Sequence, residues 1–410
     1  MEDNLKANDI VPVPTISLSL IVKDEADCIE DCLNDYSPLV DEIIIYDTGS
    51  KDGTQDICKK NPKVKLIQGE WRNDFGWARN QSFQACTCDY IMWVDADDKL
   101  DQKSLDFFLK LKEGFDYNGR HLCLNNYDCI VVPYRFHFDG KIDVYTLDRE
   151  RIFRRSINPT WQDRIHEYVM IEPNSKTLLL TNNEAYTIHN HQKPYGDRNI
   201  HIFQDMLAKD EVFSTRNMFY YANELMDHHL NEDALRWYLK VIEKEDMWNI
   251  DKMNAYIRIF KLKFHAKGDR TLECLKYAYM AAACTEVPRA DVCDCIGEWY
   301  SSHRRLGIAE MWFKLAYGNE AQGLENTFLE THSFTTTPLM QLAKIYWDTN
   351  RKDEAVQSTI DALKFAPNNP AILHNMELFA RAGSEKALEF LKNLREEEQK
   401  KATASSTDKK

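Results

Sequence analysis

The first hundred residues alternate between short apolar runs and amphipathic stretches, with turn-forming residues at each change. Ile16–Val22 is an apolar run that stops at Lys23-Asp24-Glu25, and Ala26–Leu33 after it has helical spacing. Glu42–Tyr46 is a second run, closed by Asp47-Thr48-Gly49-Ser50-Lys51-Asp52-Gly53-Thr54, with a short helix to Lys59. Val64–Gln68 is a third, Phe75–Ala85 a helix, and Tyr90–Val94 a fourth that ends in Asp95-Ala96-Asp97. Short apolar runs bounded by turn signals are buried strands, and their alternation with helices predicts an α/β domain. The expected sheet is mostly parallel with helices on both faces. Glu25, Asp47, Asp52, Asp95 and Asp97 all follow the carboxyl ends of strands. Ligands of open α/β sheets bind at that edge, so acids from several strands meeting there point to a site.

From about Asn199 the spacing becomes helical throughout. Three windows repeat one pattern: Ala222, Leu225 and Ala234; Gly297, Tyr300 and Ala309; Ala343, Tyr346 and Ala355. In each, a small residue lets two helices of a hairpin approach and a large one fills the space between. The spacing resembles the tetratricopeptide repeat, an all-α helical-repeat architecture. A divergent copy is expected between Asp251 and Val287, turning at Gly268-Asp269, and a loop from Tyr317 to Thr337. The chain thus reads as an N-terminal tail over 1–14, an α/β domain over 15–200, helical repeats over 201–395 and a charged, disordered tail over 396–410.

Composition adds exclusions. A 410-residue chain with 43% hydrophobic residues can bury two real cores. Its formal net charge of −14 argues against a nucleic-acid partner, which requires a basic face. No basic segment leads into an apolar one near Met1, so no secretory leader is expected, and no apolar run is long enough to span a bilayer. Eleven cysteines without a CxxC spacing read as free thiols in a reducing, cytoplasmic setting. The pairs Cys86/Cys88 and Cys293/Cys295 read as buried thiols before metal ligands.

The chemistry concentrates in a few motifs. Asp95 and Asp97, two apart at a strand end, can both reach a divalent cation, and oxygen ligands suit Mn2+ or Mg2+. A polar turn would look the same. An EF-hand is excluded, because Lys99 and Leu100 stand where a ligand and a glycine belong. Asp47-Thr48-Gly49-Ser50 also spells an aspartic-protease signature. That chemistry needs two carboxylates sharing a proton, and no second copy exists. No GxGxxG occurs, which removes a dinucleotide-binding domain.

The segments SLSLIVKDEADCIEDCL, DEIIIYDTGSKDGT, WRNDFGWARNQSF and YIMWVDADDKL, in that order from Ile16 to Leu100, resemble family 2 glycosyltransferases of the GT-A (Rossmann-like) fold. RIFRR, RIHEYV and TIHNH extend the resemblance to His191. It is nearest to a subgroup in which this domain precedes tetratricopeptide-like helices, and that subgroup includes enzymes that glycosylate cysteine in bacteriocin peptides. The resemblance implies transfer of a sugar, with inversion, from a nucleoside-diphosphate sugar, expected to be a UDP-sugar. The acceptor would be a protein, peptide or glycan. It implies that Val22, Glu25, Asp47 and Asp52 line the nucleoside site, with Arg79 near the diphosphate or base and Asp95 on ribose and metal. Asp97 and His189 would be metal ligands, with His191 a rival. Glu167 would be the catalytic base, with His166 as orienter or competitor.

Alternatives stand beside several of these. Arg79 can be an exposed helix charge paired with a carboxylate, and Glu167 a surface residue. Trp161 can stack on sugar or acceptor, or pack. Arg149, Arg151, Arg154 and Arg155 can face phosphates or solvent. The repeats suit a protein partner or a second copy of the chain. The alternative function is a non-catalytic scaffold that binds nucleotide sugar while the repeats recruit partners.

Overall fold

A computed structural model describes residues 12–138, 141–190, 196–318 and 331–407 of the chain. It falls into two compact units, Met1–Val212 and Phe213–Lys410. The first opens with β1 (Ile16–Val22), α1 (Ile29–Tyr36), β2 (Glu42–Asp47), α2 (Thr54–Cys58), β3 (Val64–Gln68), α3 (Phe75–Ala85) and β4 (Tyr90–Trp93). Next come β5 (Asp98–Lys99), α4 (Gln102–Glu113) and a small hairpin, β6 (Phe115–Tyr117) and β7 (Arg120–Leu122). A long hairpin, β8 (Cys129–Phe138) and β9 (Lys141–Arg154), leads to β10 (Thr160–Gln162), β11 (Tyr168–Met170), β12 (Thr177–Leu179) and β13 (Thr187–Asn190). Helix α5 (Arg198–Ala208) closes the unit.

Among the described residues the main sheet has nine strands in the order β3-β2-β1-β4-β9-β8-β13-β5, with β12 beside β8. Strands β3, β2, β1 and β4 are mutually parallel. β9 runs antiparallel to β4 and to β8, and β5 antiparallel to β13. The sheet is therefore mixed rather than mostly parallel, because the β8–β9 hairpin inserts beside β4. β1 is buried on nearly its whole length, with Ile16, Leu18, Leu20 and Val22 in the core. That is why it reads as a continuous apolar run rather than an alternating one. Each such side chain stabilises the fold by about 1.5–3 kcal/mol on burial. Strand order reverses around β1, since β2 and β4 flank it, and the crevice at that reversal is where open α/β sheets take ligands.

The expected boundary at 200 moves to Val212. Helix α5 buries Ile200, Ile202, Phe203 and Met206, and it holds the preceding strands: Arg164 pairs with Asp205 at 2.9 Å.

The second unit is a series of helical hairpins: α6 (Thr215–Asp227) with α7 (Asn231–Val241), α8 (Asn249–Lys261) with α9 (Leu272–Ala282), and α10 (Ala290–Ser302) with α11 (Leu306–Tyr317). α12 (Thr336–Asp348) pairs with α13 (Lys352–Phe365), and α14 (Pro370–Arg381) with α15 (Glu385–Thr407). The expected repeat residues sit at the helix contacts, and the divergent copy is α8–α9. Most of the loop expected between Tyr317 and Thr337 lies outside the described residues. The tail expected to be disordered from 396 instead continues α15 to Thr407. Its Glu-, Lys- and Ala-rich sequence is as good a helix former as it is a solvated coil. A Cβ added at Gly297 would come within 2.8 Å of the buried Phe313 ring. Gly297→Val is expected to destabilise the unit by about 1–3 kcal/mol through overpacking. Thermal unfolding checks this, and Phe313→Leu in the same chain should recover part of the loss.

Candidate functional site

Two loops at the carboxyl edge of β1 and β2 hold one another. Val22 is buried, and its carbonyl accepts from the Thr48 amide at 3.0 Å and hydroxyl at 3.1 Å. Asp24, in the left-handed region at φ 54°, donates its amide to Ser50 Oγ and accepts from the Lys51 amide. Asp52 accepts from Ala26 through Oδ2, and from the Thr54 amide and hydroxyl through Oδ1. It therefore latches the two loops with both oxygens. Glu25 is half-buried, with its amide on Thr54 Oγ1 at 2.8 Å and Oε2 accepting from Cys28 Sγ at 3.3 Å. At the base, Asp47 is fully buried. Its Oδ1 accepts from the Gly49 and Ser50 amides, both at 2.7 Å, while Oδ2 is buried with no hydrogen-bond partner among the described residues. Burying such an acceptor unsatisfied is costly, so a ligand N–H or O–H fits there.

A second group lies between β4 and the segment after β10. Arg79 of α3 donates from Nη2 to Asp95 Oδ1 at 2.8 Å and from Nε to Glu167 Oε1 at 2.7 Å. It is buried, with its guanidinium 4.8 Å from the Trp93 ring and 4.9 Å from Trp161. Arg79 is thus no exposed helix charge. Burial would lower its pKa, but Asp95 and Glu167 raise it above the usual arginine value. Against burial, which would raise it, the Arg79 and Arg151 guanidiniums hold Asp95 down at about 2. Trp161 packs edge-on against Phe83 and Trp93.

Helix α3 also positions the Glu167 segment. Asp74 caps its first turn through the Trp77 amide. Asn80 bonds both the carbonyl and the amide of Trp161 at 2.9 Å. The Phe75 amide donates to the Arg164 carbonyl, and Gly76 leaves room for the Asp163 carbonyl, which would sit 2.3 Å from an added Cβ. Asp163 and His166 both have positive φ, 66° and 50°. Non-glycine residues held there store strain and gather at functional sites. His166 stacks against Phe203, at 6.2 Å between centroids.

The third group surrounds β5. Ligand atoms of Asp97, Asp98 and His189 lie within 4.8 Å of one another. His189 Nδ1 is 3.5 Å from Asp97 Oδ1 and 3.4 Å from Asp98 Oδ1. Burial, with Asp95 and Asp98 adding repulsion against the pull of His189, pushes Asp97 up to about 7. Asp98 is fully buried and ion-paired with Arg151 at 3.2 Å, and its Oδ2 accepts from the Asp95 amide. The donor set is rich in carboxylate oxygen and its mutual repulsion would be relieved by a dication, so it fits Mn2+ or Mg2+. Asp95 turns Oδ1 to Arg79 and stands outside this set.

Three arginines of the 149–155 run are taken up by contacts within the scaffold. Arg151 is wholly buried between the Trp93 ring (3.9 Å) and the Tyr134 ring (4.1 Å). Arg154 holds Asp128 and the Asn125 and Tyr127 carbonyls, and Arg155 the Cys88 carbonyl. The neighbouring DxD and RIFRR motifs were the only sequence signals for Asp98 and Arg151, and nothing marked Tyr134. Arg198 belongs to none of the sequence motifs. Its guanidinium lies 4.6 Å from the Phe75 ring; desolvation lowers its pKa while Asp95, Glu167 and Glu25 oppose the shift. His191 lies outside the described residues. All eleven cysteines are free, and burial pushes Cys86 and Cys293 up to about 12, which disfavours the thiolate a metal needs.

Residues 20–172 match the family model of glycosyl transferase family 2, so the first unit carries a domain of that family. The chain is 29% identical over 245 residues to the SPbeta prophage-derived glycosyltransferase SunS of Bacillus subtilis, covering 58% of this chain and 55% of that one. It spans about half the length of that curated relative. A TPR repeat-containing protein of Synechococcus elongatus is 44% identical over 85 residues, 21% of each chain. Among solved structures, a thermophilic TPR protein of Thermus thermophilus aligns over 45% of this chain and 89% of its own at 20% identity, with a TM-score of 0.32. The architecture is a family 2 glycosyltransferase domain of GT-A-like fold followed by TPR-like helical hairpins. Among the described residues no helix is long and apolar enough to cross a membrane.

Proposed function

We propose that this protein is a metal-dependent, inverting glycosyltransferase that moves a sugar from a nucleoside diphosphate, of the UDP type, to a protein, peptide or glycan. The observation that carries this reading is the row of acids along one sheet edge, from the orphaned oxygen of Asp47 through Asp95 to Asp97. Asp47 Oδ2 accepts a hydrogen bond from the base, with Val22 and Glu25 walling the nucleoside. Asp95, set by Arg79, faces the ribose. Asp97 and His189 would hold Mn2+ or Mg2+, which would supply positive charge against the departing diphosphate.

Glu167 acts as base. Arg79 fixes its Oε1, and among the described residues Oε2 makes no hydrogen bond. Oε2 takes the acceptor proton as the acceptor oxygen or sulfur bonds to the anomeric carbon and the bond to the diphosphate oxygen breaks. Attack from the face opposite the leaving group inverts the centre. The helical hairpins offer the extended surface that a long acceptor or protein partner needs, and the free cysteines suit a cytoplasmic setting.

Incubation with a panel of nucleoside-diphosphate sugars, with and without Mn2+, tests the reading. Free nucleoside diphosphate is expected from one donor class, only with metal. Tight donor binding without release from any donor would leave the scaffold reading in its place. Asp47→Asn keeps an oxygen for the loop amides but replaces the orphaned acceptor with a donor. Donor Kd is expected to rise about 5- to 150-fold, the equivalent of about 1–3 kcal/mol for an unpaired buried group. Titration calorimetry with the nucleoside diphosphate measures it.

A further inference from the structure

Helix α5 is docked on the segment that carries Glu167. Its Phe203 ring stacks on His166, its Asp205 pairs with Arg164 at 2.9 Å, and its Ile200, Ile202 and Met206 are buried. That docking sets the place of its first residue, Arg198, whose guanidinium lies 4.6 Å from the Phe75 ring. Phe75 opens α3, and Arg79 follows it by one helical turn on the same face. Arg198 therefore stands beside the bridge that Arg79 makes to Asp95 and Glu167, and the acids whose charge reaches it are Asp95, Glu167 and Glu25.

The bridge is one guanidinium serving two carboxylates, so Arg79 has its charge already committed. Arg198 does not. It is exposed, and it forms no hydrogen bond or ion pair with any described residue, although three acids lie within its field. Phe75 holds it by a cation–π contact, which leaves its five N–H groups for an outside acceptor. In the proposed reading Glu25 walls the nucleoside, Asp95 faces the ribose and Glu167 stands at the anomeric carbon. A cation within reach of all three lies over the stretch between ribose and sugar, and the group that joins those two is the diphosphate.

We infer that Arg198 binds the diphosphate of the donor, the role that its motif suggested for Arg79. The inference deepens the glycosyltransferase reading and rests on it. A dianion entering an edge lined with carboxylates needs cations of its own, and a guanidinium fork matches two phosphate oxygens at once. Negative charge on the diphosphate grows as its bond to the sugar breaks, so the same contact strengthens toward the transition state.

Titration calorimetry in Mn2+ compares UDP and GDP with uridine and guanosine, and the pair that the wild type binds is carried into two variants. Arg198→Gln keeps a polar stem beside Phe75 and loses the charge. Its Kd for the diphosphate should rise about 10- to 150-fold, the loss of hydrogen bonds to a charged group. Its Kd for the nucleoside should stay within about twofold. Arg198→Lys restores a point charge without the fork and should recover part of the loss. A folded Arg198→Gln protein with wild-type diphosphate affinity would overturn the inference. Equal losses for diphosphate and nucleoside, or a lysine variant no better than the glutamine one, would overturn it too, because Arg198 would then support the fold around Phe75 rather than hold phosphate. A wild type that binds neither UDP nor GDP would overturn the donor reading instead, so the two failures are read on different proteins.

Discussion

Asp97→Asn is expected to abolish sugar transfer while making the metal-free protein more stable. A dication that neutralises a leaving diphosphate supplies several kcal/mol at the transition state, so turnover should fall about a thousandfold or more. The opposite effect on stability follows from the position of Asp97. Burial and the neighbouring acids raise it from 3.8 to about 7 in the folded protein. A raised carboxyl favours the folded state below its unfolded value, and this contribution is lost as pH climbs to about 7. At neutral pH the neutral amide escapes the penalty, worth about 1–3 kcal/mol after relaxation. Thermal unfolding in EDTA reads the gain, and diphosphate release in Mn2+ reads the loss. The same titration gives the wild type a pH signature. Protons compete with Mn2+ at Asp97, so apparent metal affinity should fall roughly tenfold per pH unit below about 7 and level off above it. Full activity of Asp97→Asn, or of the wild type in excess EDTA, would remove Asp97 from the metal site.

Glu167→Gln should leave donor affinity within about twofold and cut turnover about 10²- to 10⁴-fold, because an amide cannot take the acceptor proton. The amide oxygen still accepts from Arg79 Nε, so the segment that α3 holds through Asn80 and Phe75 should keep its shape. Arg79 loses half of its compensating charge in this variant, and a modest stability loss of about 1–3 kcal/mol is expected. Calorimetry of donor binding beside single-turnover transfer separates the two effects. If the amide variant loses the donor instead, Glu167 is a binding residue. The base would then be sought at His166 or Asp163, the two strained positions of the same segment.

The hydropathy pattern by itself determined the strand–helix alternation, the row of acids along one edge and the hairpin repeats. Each depends on residues within a strand or a few helical turns of one another, where apolar period and turn chemistry are local quantities. Gly297 against Phe313 is an example: a small residue at a fixed spacing already implies a close helix crossing. The Asp47 turn is another, since its Gly49 and Ser50 partners follow within three residues.

Only the tertiary structure decided which acids gather with His189 and which hold the scaffold. Asp52 looked like Asp47 in the sequence, yet it staples two loops. Asp98 stood unremarked next to Asp97. It meets His189, 91 residues away, because β5 and β13 pair in one register, and a shift of one residue would turn that histidine to the other face. Arg79 became a buried bridge rather than a surface charge because Gly76 lets α3 sink onto the Asp163 carbonyl. The strand register of β8, β9 and β13 likewise turned Arg151 inward beneath Tyr134. Hydropathy marks how deep a residue lies; which partner it finds there is set by strand register and by close backbone approach, and neither is written in the spacing of apolar residues along a single segment.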